Sequence, residues 1–318
     1  MTATRLKGLD HIADNTLEEE LKINLMSFFD WGFLNKGSYT NVNLNSSGTF
    51  GGQQERLRPV VSPWVDQPNG TVWEGFRKDW VWESGLDKSP QPIQVSGVYV
   101  DGNFLSLASG VTVNYPEGKI TLDDAVSTSS VVTCEYTYKW IQFVDAKELP
   151  FFKEVQYRSN RVDDSHFLAS SSGDWYQFGS SRVQMPTVAV EIVSQGYTPF
   201  QLGGGQYAQT DVFFHVLAES DHDAKKIAGI ISKQNEKTIY MFNTNKMVAE
   251  DAFPLNYQGS INAGAKTYDQ LVMPSGEGGF RGNKCRMYNT AMEQGNWITQ
   301  SLYMSTAKIT TEVILTNI

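Results

Sequence analysis

The sequence contains little cysteine, little histidine and little charge. Its 318 residues include 2 cysteines and 4 histidines, and 19% are Asp, Glu, Lys or Arg. Two cysteines cannot form a disulfide framework, and Cys134, within the strand-like run VVTCEYTY, is expected to be a small buried apolar residue. None of the histidines has HExxH or a similar metal-ligand spacing. The sequence therefore indicates neither a disulfide scaffold nor a metal site, and we expect no cofactor.

Long apolar runs are also missing. No stretch of about 18 apolar residues occurs, so no membrane-spanning helix is expected. The first residues, MTATRLKGLDHIADN, lack the apolar core of a secretory signal, and we expect the protein to be made and assembled in a cytoplasm. The formal net charge of −9 argues against a general nucleic-acid binder, which needs a basic face. It fits a surface past which DNA slides, and it fits plain solubility equally well.

Recognisable catalytic motifs are missing too. No G-x-S-x-G elbow occurs, and the glycines at 203–205 lack the Lys-Ser/Thr of a phosphate-binding loop. The run DDSH at 163–166 is contiguous, whereas catalytic triads converge in space. His222 is better explained as part of a helix cap, and His215 as a surface or interface residue. We expect no catalytic residues and no enzymatic activity.

Residues 186–243 are the most regular part of the chain. Alternating apolar residues predict one strand that begins near 187 and a second at 207–218. Between them, Gly196, Pro199 and the glycines at 203–205 predict a loop. Ser220 is a good N-cap for a helix with one apolar side, and a third strand follows up to Phe242. We expect a sheet with this helix packed across it.

A second helix is predicted near the N-terminus. Thr16 and Glu19 have capping-box spacing, apolar residues follow on one stripe, and Gly32 is a plausible stop. Residues 36–58 are rich in Asn, Ser and Gly, and we expect an arm that reaches another subunit. The end of the chain, KITTEVIL at 308–315, predicts a terminal strand.

Four of the eight tryptophans lie at residues 59–85. Three interpretations are open for this cluster: a platform for sugar rings, an interface, or the core of a small loop-rich unit. Short strands at about ten-residue spacing in 93–143 indicate a small sandwich or barrel. Aromatic residues of these segments and of the flexible loops are our predicted interface residues. They are Tyr39, Phe50, Trp73, Trp80, Phe200 and Tyr207.

Two stretches resemble known proteins. The run GVYVDGNFLSLASGVTVNYPEGKITLDDAVSTSSVVTCEYTYKW is similar to β-modules of virion structural proteins of tailed bacteriophages. The helix at 16–31, followed by MPTVAVEIV and QTDVFFHVLAESDHDAKKIAGII, resembles phage tail-terminator and related neck proteins. In those proteins an N-terminal helix precedes a sheet that a second helix flanks. The resemblance is one of pattern over roughly half the chain, and a large insertion before Pro186 departs from the compact terminators.

The resemblance implies a β-rich α+β fold. A mixed or antiparallel sheet flanked by two helices, as in tail terminators, would carry an inserted small β-sandwich or barrel. Residues 1–58 and 186–318 would be the ring-forming core, with the N-terminal helix, the sheet, the second helix and the C-terminal strand. Residues 59–185 would be the inserted module with the tryptophan cluster.

The resemblance also implies a role in a virion that is assembled in the host cytoplasm. The protein would form a ring, commonly a hexamer, that terminates the tail tube and joins it to the head connector. Its partners would be further copies of itself, tail tube and sheath proteins, and neck proteins, with genomic DNA passing through the lumen without sequence-specific binding. A nearby alternative is another neck, head-completion or baseplate protein. An alternative of another class, favoured by the tryptophans, is a carbohydrate-binding or glycoside-hydrolase-like protein.

Overall fold

The structure is a computed structural model that describes residues 11–44, 47–48, 52–60, 68–148, 184–199, 205–293, 297–299 and 302–315. These residues form a β-rich α+β fold, which confirms the coarse fold class expected from the sequence. Four α-helices lie in this part of the chain. They are α1 (Leu17–Asn35), α2 (Asp221–Ser232), α3 (Thr244–Ala249) and α4 (Tyr268–Leu271).

The strands differ in length between the two halves of the chain. Those before residue 148 have two to four residues each, and three of those after residue 186 have 13 residues while the last has 14. The first group comprises β1 (Tyr39–Val42), β2 (Ser47–Gly48), β3 (Gly52–Gln53), β4 (Arg58–Pro59), β5 (Val72–Glu74), β6 (Gly97–Val100), β7 (Asn103–Ser106), β8 (Val111–Asn114), β9 (Lys119–Leu122), β10 (Val132–Thr133), β11 (Tyr136–Lys139) and β12 (Gln142–Asp145). The second group comprises β13 (Thr187–Pro199), β14 (Gln206–Ala218), β15 (Lys237–Phe242), β16 (Arg281–Glu293), β17 (Trp297–Thr299) and β18 (Leu302–Leu315).

One seven-stranded sheet, called here the large sheet, contains the long strands. Its order is β12-β13-β14-β18-β16-β15, and β17 pairs with β18. β12 and β13 run parallel and all other neighbours are antiparallel, so the sheet is mixed. Along β14, Val212, Phe214 and Val216 are fully buried, because successive side chains of a strand point to opposite faces. One face of the large sheet therefore belongs to the main core.

Helices α1 and α2 cover that face. Leu21 and Leu25 of α1 are fully buried, and the ring of Phe29 meets Phe214 edge-on with centroids 5.0 Å apart. The apolar stripe of α2, which includes Ile227, packs into the same core. α1 contacts β12 and β13 at one end of the sheet and β15 at the other, so the sheet curls around it.

Two elements extend past glycines that were expected to end them. α1 continues through Gly32 to Asn35, since burial of Phe33 and Leu34 outweighs the cost of about 1 kcal/mol for a helical glycine. β13 continues through Gly196 to Pro199, so the predicted loop at 196–199 is wrong. The ladder to β14, with Gly196 opposite Gln209, satisfies the backbone there.

A second core lies among the short strands, in what we call the small β-unit. Its sheets have the orders β4-β5-β9-β8, β10-β6-β7 and β1-β11. Cys134 is fully buried in this core, as its sequence context predicts. The strands do not divide at residues 58 and 186, because β1 pairs with β11 in the small β-unit whereas β12 pairs with β13 in the large sheet. Ile261, from the chain after α3, also packs on the small core.

Candidate assembly interface

The predicted interface residues do not form one surface. Phe50 and Phe200 lie outside the described residues. Tyr39 is a half-buried residue of β1 whose hydroxyl lies 3.0 and 2.8 Å from the backbone carbonyls of Lys88 and Pro90, and burial raises its pKa. Its ring and hydroxyl therefore serve contacts within the chain.

The predicted arm at 36–58 is partly a strand of this same chain. Tyr39–Val42 pairs along its whole length with Tyr136–Lys139. Further along, the backbone N–H of Leu57 donates to Val132, and Leu57 is 1% exposed. These described parts of the segment are built into the small β-unit, so they do not reach outward to a neighbouring subunit.

Trp73 and Trp80 are core residues. Each is 1% exposed, and their indole N–H groups donate to the backbone carbonyls of Gly70 and Arg77 at 2.9 and 2.7 Å. A buried indole with a satisfied N–H needs no further partner. The interface role predicted for these two residues is corrected by this placement, and the burial equally prevents them from stacking on sugar rings.

One end of the large sheet exposes a long strand edge. β12 covers the outer edge of β13 only as far as Val190, and no described residue pairs with that edge along 192–199. This segment, IVSQGYTP, carries no charge. Val193 is 57% exposed at a bulge, and Tyr197 is 51% exposed. We call residues 192–199 the β13 edge.

The opposite end of the sheet is protected. At the end of β15, the Asn24 side chain of α1 pairs with the backbone of Phe242: its Nδ2 donates to the carbonyl at 2.9 Å, and its Oδ1 accepts from the N–H at 2.8 Å. Lys237 begins the same strand, and its ammonium lies 5.4 Å from the ring centroid of Phe28. Lysines and covering elements are common protections of edge strands. The edge at β15 is therefore protected by a covering side chain and a lysine, whereas the β13 edge has neither among the described residues.

The face of the large sheet that lies away from α1 and α2 is polar along its middle rows. Asp211 on β14 forms a salt bridge of 2.8 Å with Lys308 on β18 and accepts a hydrogen bond of 2.7 Å from Thr310. These hydrogen bonds and the proximity of Lys308 lower the pKa of Asp211 against the opposing effect of burial. Such cross-strand pairs stabilise a sheet by about 0.2–1 kcal/mol each. We call this side of the sheet the outer face.

The outer face also contains a carboxylate, an imidazole and a hydroxyl in series. His215 Nε2 lies 3.0 Å from Glu191, and its Nδ1 lies 3.2 Å from the Thr306 hydroxyl. A hydrolytic site would also need N–H donors for an oxyanion. Thr306 is 8% exposed and its strand pairs with β14 on one side and β16 on the other, so the neighbouring backbone donors are used in the ladders. We therefore interpret these three side chains as a structural link between β13, β14 and β18.

At one end of the outer face, aromatic, apolar and basic residues form a row. Tyr207 on β14 pairs with Ile314 on β18, and Tyr240 on β15 pairs with Lys284 on β16. The Arg281 guanidinium lies 3.0 Å from the ring centroid of Tyr240, and the Lys284 ammonium lies 5.3 Å from it. We call these five residues the basic row. It includes one predicted interface residue, Tyr207, and its cations lie close to an aromatic ring, which attracts cations.

A buried charge cluster joins α1 to the small β-unit. The Lys139 ammonium lies 2.6 Å from Asp30, 3.1 Å from Glu83 and 3.9 Å from Asp79. Burial raises the pKa of Asp79 to about 7 despite the attraction of Lys139, and burial raises the pKa of Glu83. Burial alone would lower the pKa of Lys139, but the three carboxylates raise it well above its usual value. The cluster therefore contains three carboxyl groups around one ammonium group.

These surfaces carry no evident cofactor chemistry. Among the described residues, no group of three or more His, Cys, Asp or Glu side chains is arranged to hold a metal ion. No helix in the described ranges is both long and apolar enough to cross a membrane. No protein-family model and no curated protein matches the sequence.

Sequence reasoning missed both the basic row and the charge cluster. Tyr240 and Arg281 are 41 residues apart, and only the pairing of β15 with β16 brings them together. Lys139 and Asp30 are 109 residues apart. The one local signal is the density of Arg and Lys in RGNKCR at 281–286, within a chain of net charge −9.

Proposed function

We propose that this protein is a structural component of a tailed-phage virion. In this proposal, copies of the chain form a ring, commonly of six, at the tail end or neck. The ring terminates the tail tube and joins it to the head connector. The observation that carries the proposal is the β13 edge, which has no charge and pairs with no residue in the part of the chain that the structure describes.

The β13 edge supports an assembly role because soluble proteins normally protect such edges. Charged side chains, short strands or a covering element prevent unwanted pairing. The chain uses such protection at β15, where the Asn24 side chain of α1 pairs with the last residue of the strand and Lys237 is its first residue. At the β13 edge it offers a bulge at Val193 and a proline at the end of the strand, but no charge. An edge of this kind suits addition of a strand from another chain.

The order of elements supports the choice of a tail-end role among assembly roles. α1 precedes the large sheet, and α2 packs into the same core as α1. That is the order implied by the resemblance to tail-terminator and neck proteins. The small β-unit contains most strands of the predicted inserted module, together with β1 from the N-terminal segment, and in this proposal it contacts sheath, collar or head proteins.

A role at the tail end also implies particular partners and a location in the virion. The partners are other copies of the chain, tail tube and sheath proteins, and head connector or neck proteins. Genomic DNA passes through the lumen without sequence-specific binding, which suits a chain of net charge −9. The protein resides in the virion after assembly in the host cytoplasm. The carbohydrate-binding alternative loses part of its support, because Trp73 and Trp80 of the cluster are buried, whereas Trp64 lies outside the described residues.

The mass of the purified chain in solution, followed by particle images, tests the proposal. The expected result is a closed ring of defined copy number with a central hole wide enough for duplex DNA. A chain that stays monomeric and binds neither tail-tube nor connector proteins would overturn it. Rings that bind only baseplate or head-completion proteins would place the protein at another station of the virion.

A further inference from the structure

Two surfaces on opposite sides of the large sheet are chemically complementary. The basic row lies on the outer face, and α1 packs against the other face. The basic row combines two cations with exposed apolar surface: Ile314 is 40% exposed. A surface of this composition fits a partner segment that has both an apolar side chain and a carboxylate.

The cations of the basic row are not neutralised within the described chain. Arg281 and Lys284 contact the Tyr240 ring, and neither forms a salt bridge with a described residue. Their neighbour Arg286 differs, because it forms salt bridges with Glu236 at 2.5 Å and Glu312 at 3.8 Å. A guanidinium that contacts an aromatic ring can still donate its N–H groups to a carboxylate.

The matching segment is the start of α1, which we define as residues 12–18. Ile12 is 89% exposed, although the turn that carries it is well anchored. Asp14 accepts a hydrogen bond of 2.8 Å from the backbone of His11, and the backbone N–H of Asn15 donates to the Asn245 side chain at 2.6 Å. An isoleucine presented on a fixed turn is a suitable anchor for a pocket on another molecule.

The same segment carries an available carboxylate. Glu18 has no hydrogen bond or salt bridge to a described residue, unlike Glu19, which caps the helix at Thr16. Glu18 lies near enough to Tyr197 to raise the pKa of that phenol, after the larger effect of burial. The start of α1 therefore pairs an exposed isoleucine with an acid that has no hydrogen bond or salt bridge to a described residue.

We infer that the start of α1 in one copy docks on the basic row of the next copy. Ile12 packs against Ile314 and Tyr207, while Glu18 binds Arg281 and Lys284. This inference rests on the proposed ring, and it names one contact between neighbouring subunits, in addition to the β13 edge. Because the two surfaces lie on opposite sides of the sheet, the contact is head-to-tail, and head-to-tail contacts generate rings when the rotation closes.

A second copy fits the basic row better than DNA does. Duplex DNA would use the two cations but would leave Ile314 facing phosphates. The start of α1 satisfies both parts of the row. Two phosphate contacts would also give weak binding that falls only about tenfold between 50 and 200 mM salt, whereas a protein contact with an apolar centre is less sensitive to salt.

Reversal of charge on each surface tests the contact. Glu18→Arg alone, and Arg281→Glu with Lys284→Glu, are each expected to raise the concentration needed for ring formation by about tenfold or more. The three substitutions together restore opposite charges, and assembly is expected to return to within about threefold of the wild type. Native mass measurement over a concentration series gives these values, and circular dichroism checks the fold of each variant.

Matched controls separate the contact from a general effect of charge. Lys226→Glu with Lys233→Glu makes the same charge change at two exposed residues, one on α2 and one directly after it, and is expected to assemble as the wild type does. Ile12→Asp is expected to weaken assembly without any change in the basic row.

Each outcome has a distinct meaning. Wild-type rings together with rings in every variant overturn the contact and leave the proposed ring intact. Failure of the triple variant to recover also overturns the contact. A wild-type chain that stays monomeric overturns the ring and the contact together. Loss of binding to a fluorescein-labelled DNA duplex in the Arg281→Glu, Lys284→Glu variant, with unchanged rings, assigns the basic row to DNA instead.

Discussion

The indole of Trp80 lies flat on the ring of Tyr136, with the centroids 4.2 Å apart and the planes inclined by 20°. Trp80 comes from the loop after β5, and Tyr136 is on β11. Both side chains are fully buried, and the Tyr136 hydroxyl donates to the backbone carbonyl of Gln54 at 2.9 Å. The stack therefore joins three separate parts of the small β-unit, and its role is to hold the unit together.

Truncation of this stack is expected to destabilise the protein. Trp80→Ala removes a large buried side chain and is expected to lower the free energy of unfolding by about 3–5 kcal/mol. Trp80→Phe keeps an aromatic ring over Tyr136 and is expected to lose less, at most about 3 kcal/mol. Denaturant unfolding followed by circular dichroism measures both. Tryptophan emission that responds to glycans in the folded wild type, and is abolished in Trp80→Phe, would contradict a purely structural role.

The sequence predicts those features that depend on neighbouring residues. The capping box of Thr16 and Glu19 is present, and Ser220 caps α2 by accepting from the N–H of Asp223. The Asp-Gly pair at 101–102 is a common hairpin turn sequence, and it joins β6 to β7 with positive φ at both residues. Each signal is satisfied within a few residues of itself, so the rest of the fold cannot easily override it.

Features that depend on distant partners were not predictable in the same way. Gly196 is a loop signal by composition, but the ladder between β13 and β14 keeps it in a strand. The pattern of tryptophans allowed three interpretations, and only the packing of Trp73 and Trp80 in the small core distinguishes them. The β13 edge is defined by the point at which β12 ends, which no local pattern reports.

The bond between Asn24 and Phe242 is expected to contribute strongly to stability. Asn24 is fully buried, and Asn24→Leu leaves one backbone N–H and one carbonyl without partners. Each buried unpaired group costs about 1–3 kcal/mol, so we expect a loss of about 2–5 kcal/mol in the free energy of unfolding. Asn262→Leu, which removes an exposed side-chain hydrogen bond, is the control and is expected to lose less than about 1 kcal/mol. Equal losses in the free energy of unfolding in the two variants would show that the buried hydrogen bonds of Asn24 stabilise the protein no more than the exposed one of Asn262.

The pKa of Asp79 predicts a dependence of stability on pH. Folding raises this pKa to about 7 from an ordinary value of 3.8, because Asp79 is desolvated at a partly buried position beside Asp30 and Glu83, with Lys139 and Arg77 acting in the opposite direction. The folded chain therefore keeps a proton that the unfolded chain releases. The resulting stabilisation is full below the unfolded pKa and is lost as the pH rises through 7, by about 1.4 kcal/mol per pH unit at most.

Asp79→Asn tests this dependence. Asn suits the positive φ of 56° at this position, and it cannot ionise. We expect the variant to lose less stability than the wild type between pH 5 and 8, measured by thermal unfolding across that range. Asp124→Asn, in an exposed turn, is the matched control and is expected to follow the wild type. Parallel curves for wild type and Asp79→Asn would show that Asp79 is not the titrating group.

Charge placed on the β13 edge is expected to block assembly without loss of the fold. Val193 is 57% exposed, and a Cβ built on Gly196 meets no atom within 4 Å, so Val193→Lys with Gly196→Lys fits the isolated chain. Exposed substitutions of this kind change the free energy of unfolding by about 0.5 kcal/mol or less. A strand that pairs with the edge would have to accommodate two ammonium groups, which natural proteins use to prevent such pairing.

Native mass measurement of this double variant is expected to show that assembly needs a concentration at least about tenfold higher than in the wild type. Val131→Lys, at a residue that is 43% exposed in the small β-unit, is expected to assemble normally, and unchanged rings in the double variant would mean that the β13 edge takes no part in them.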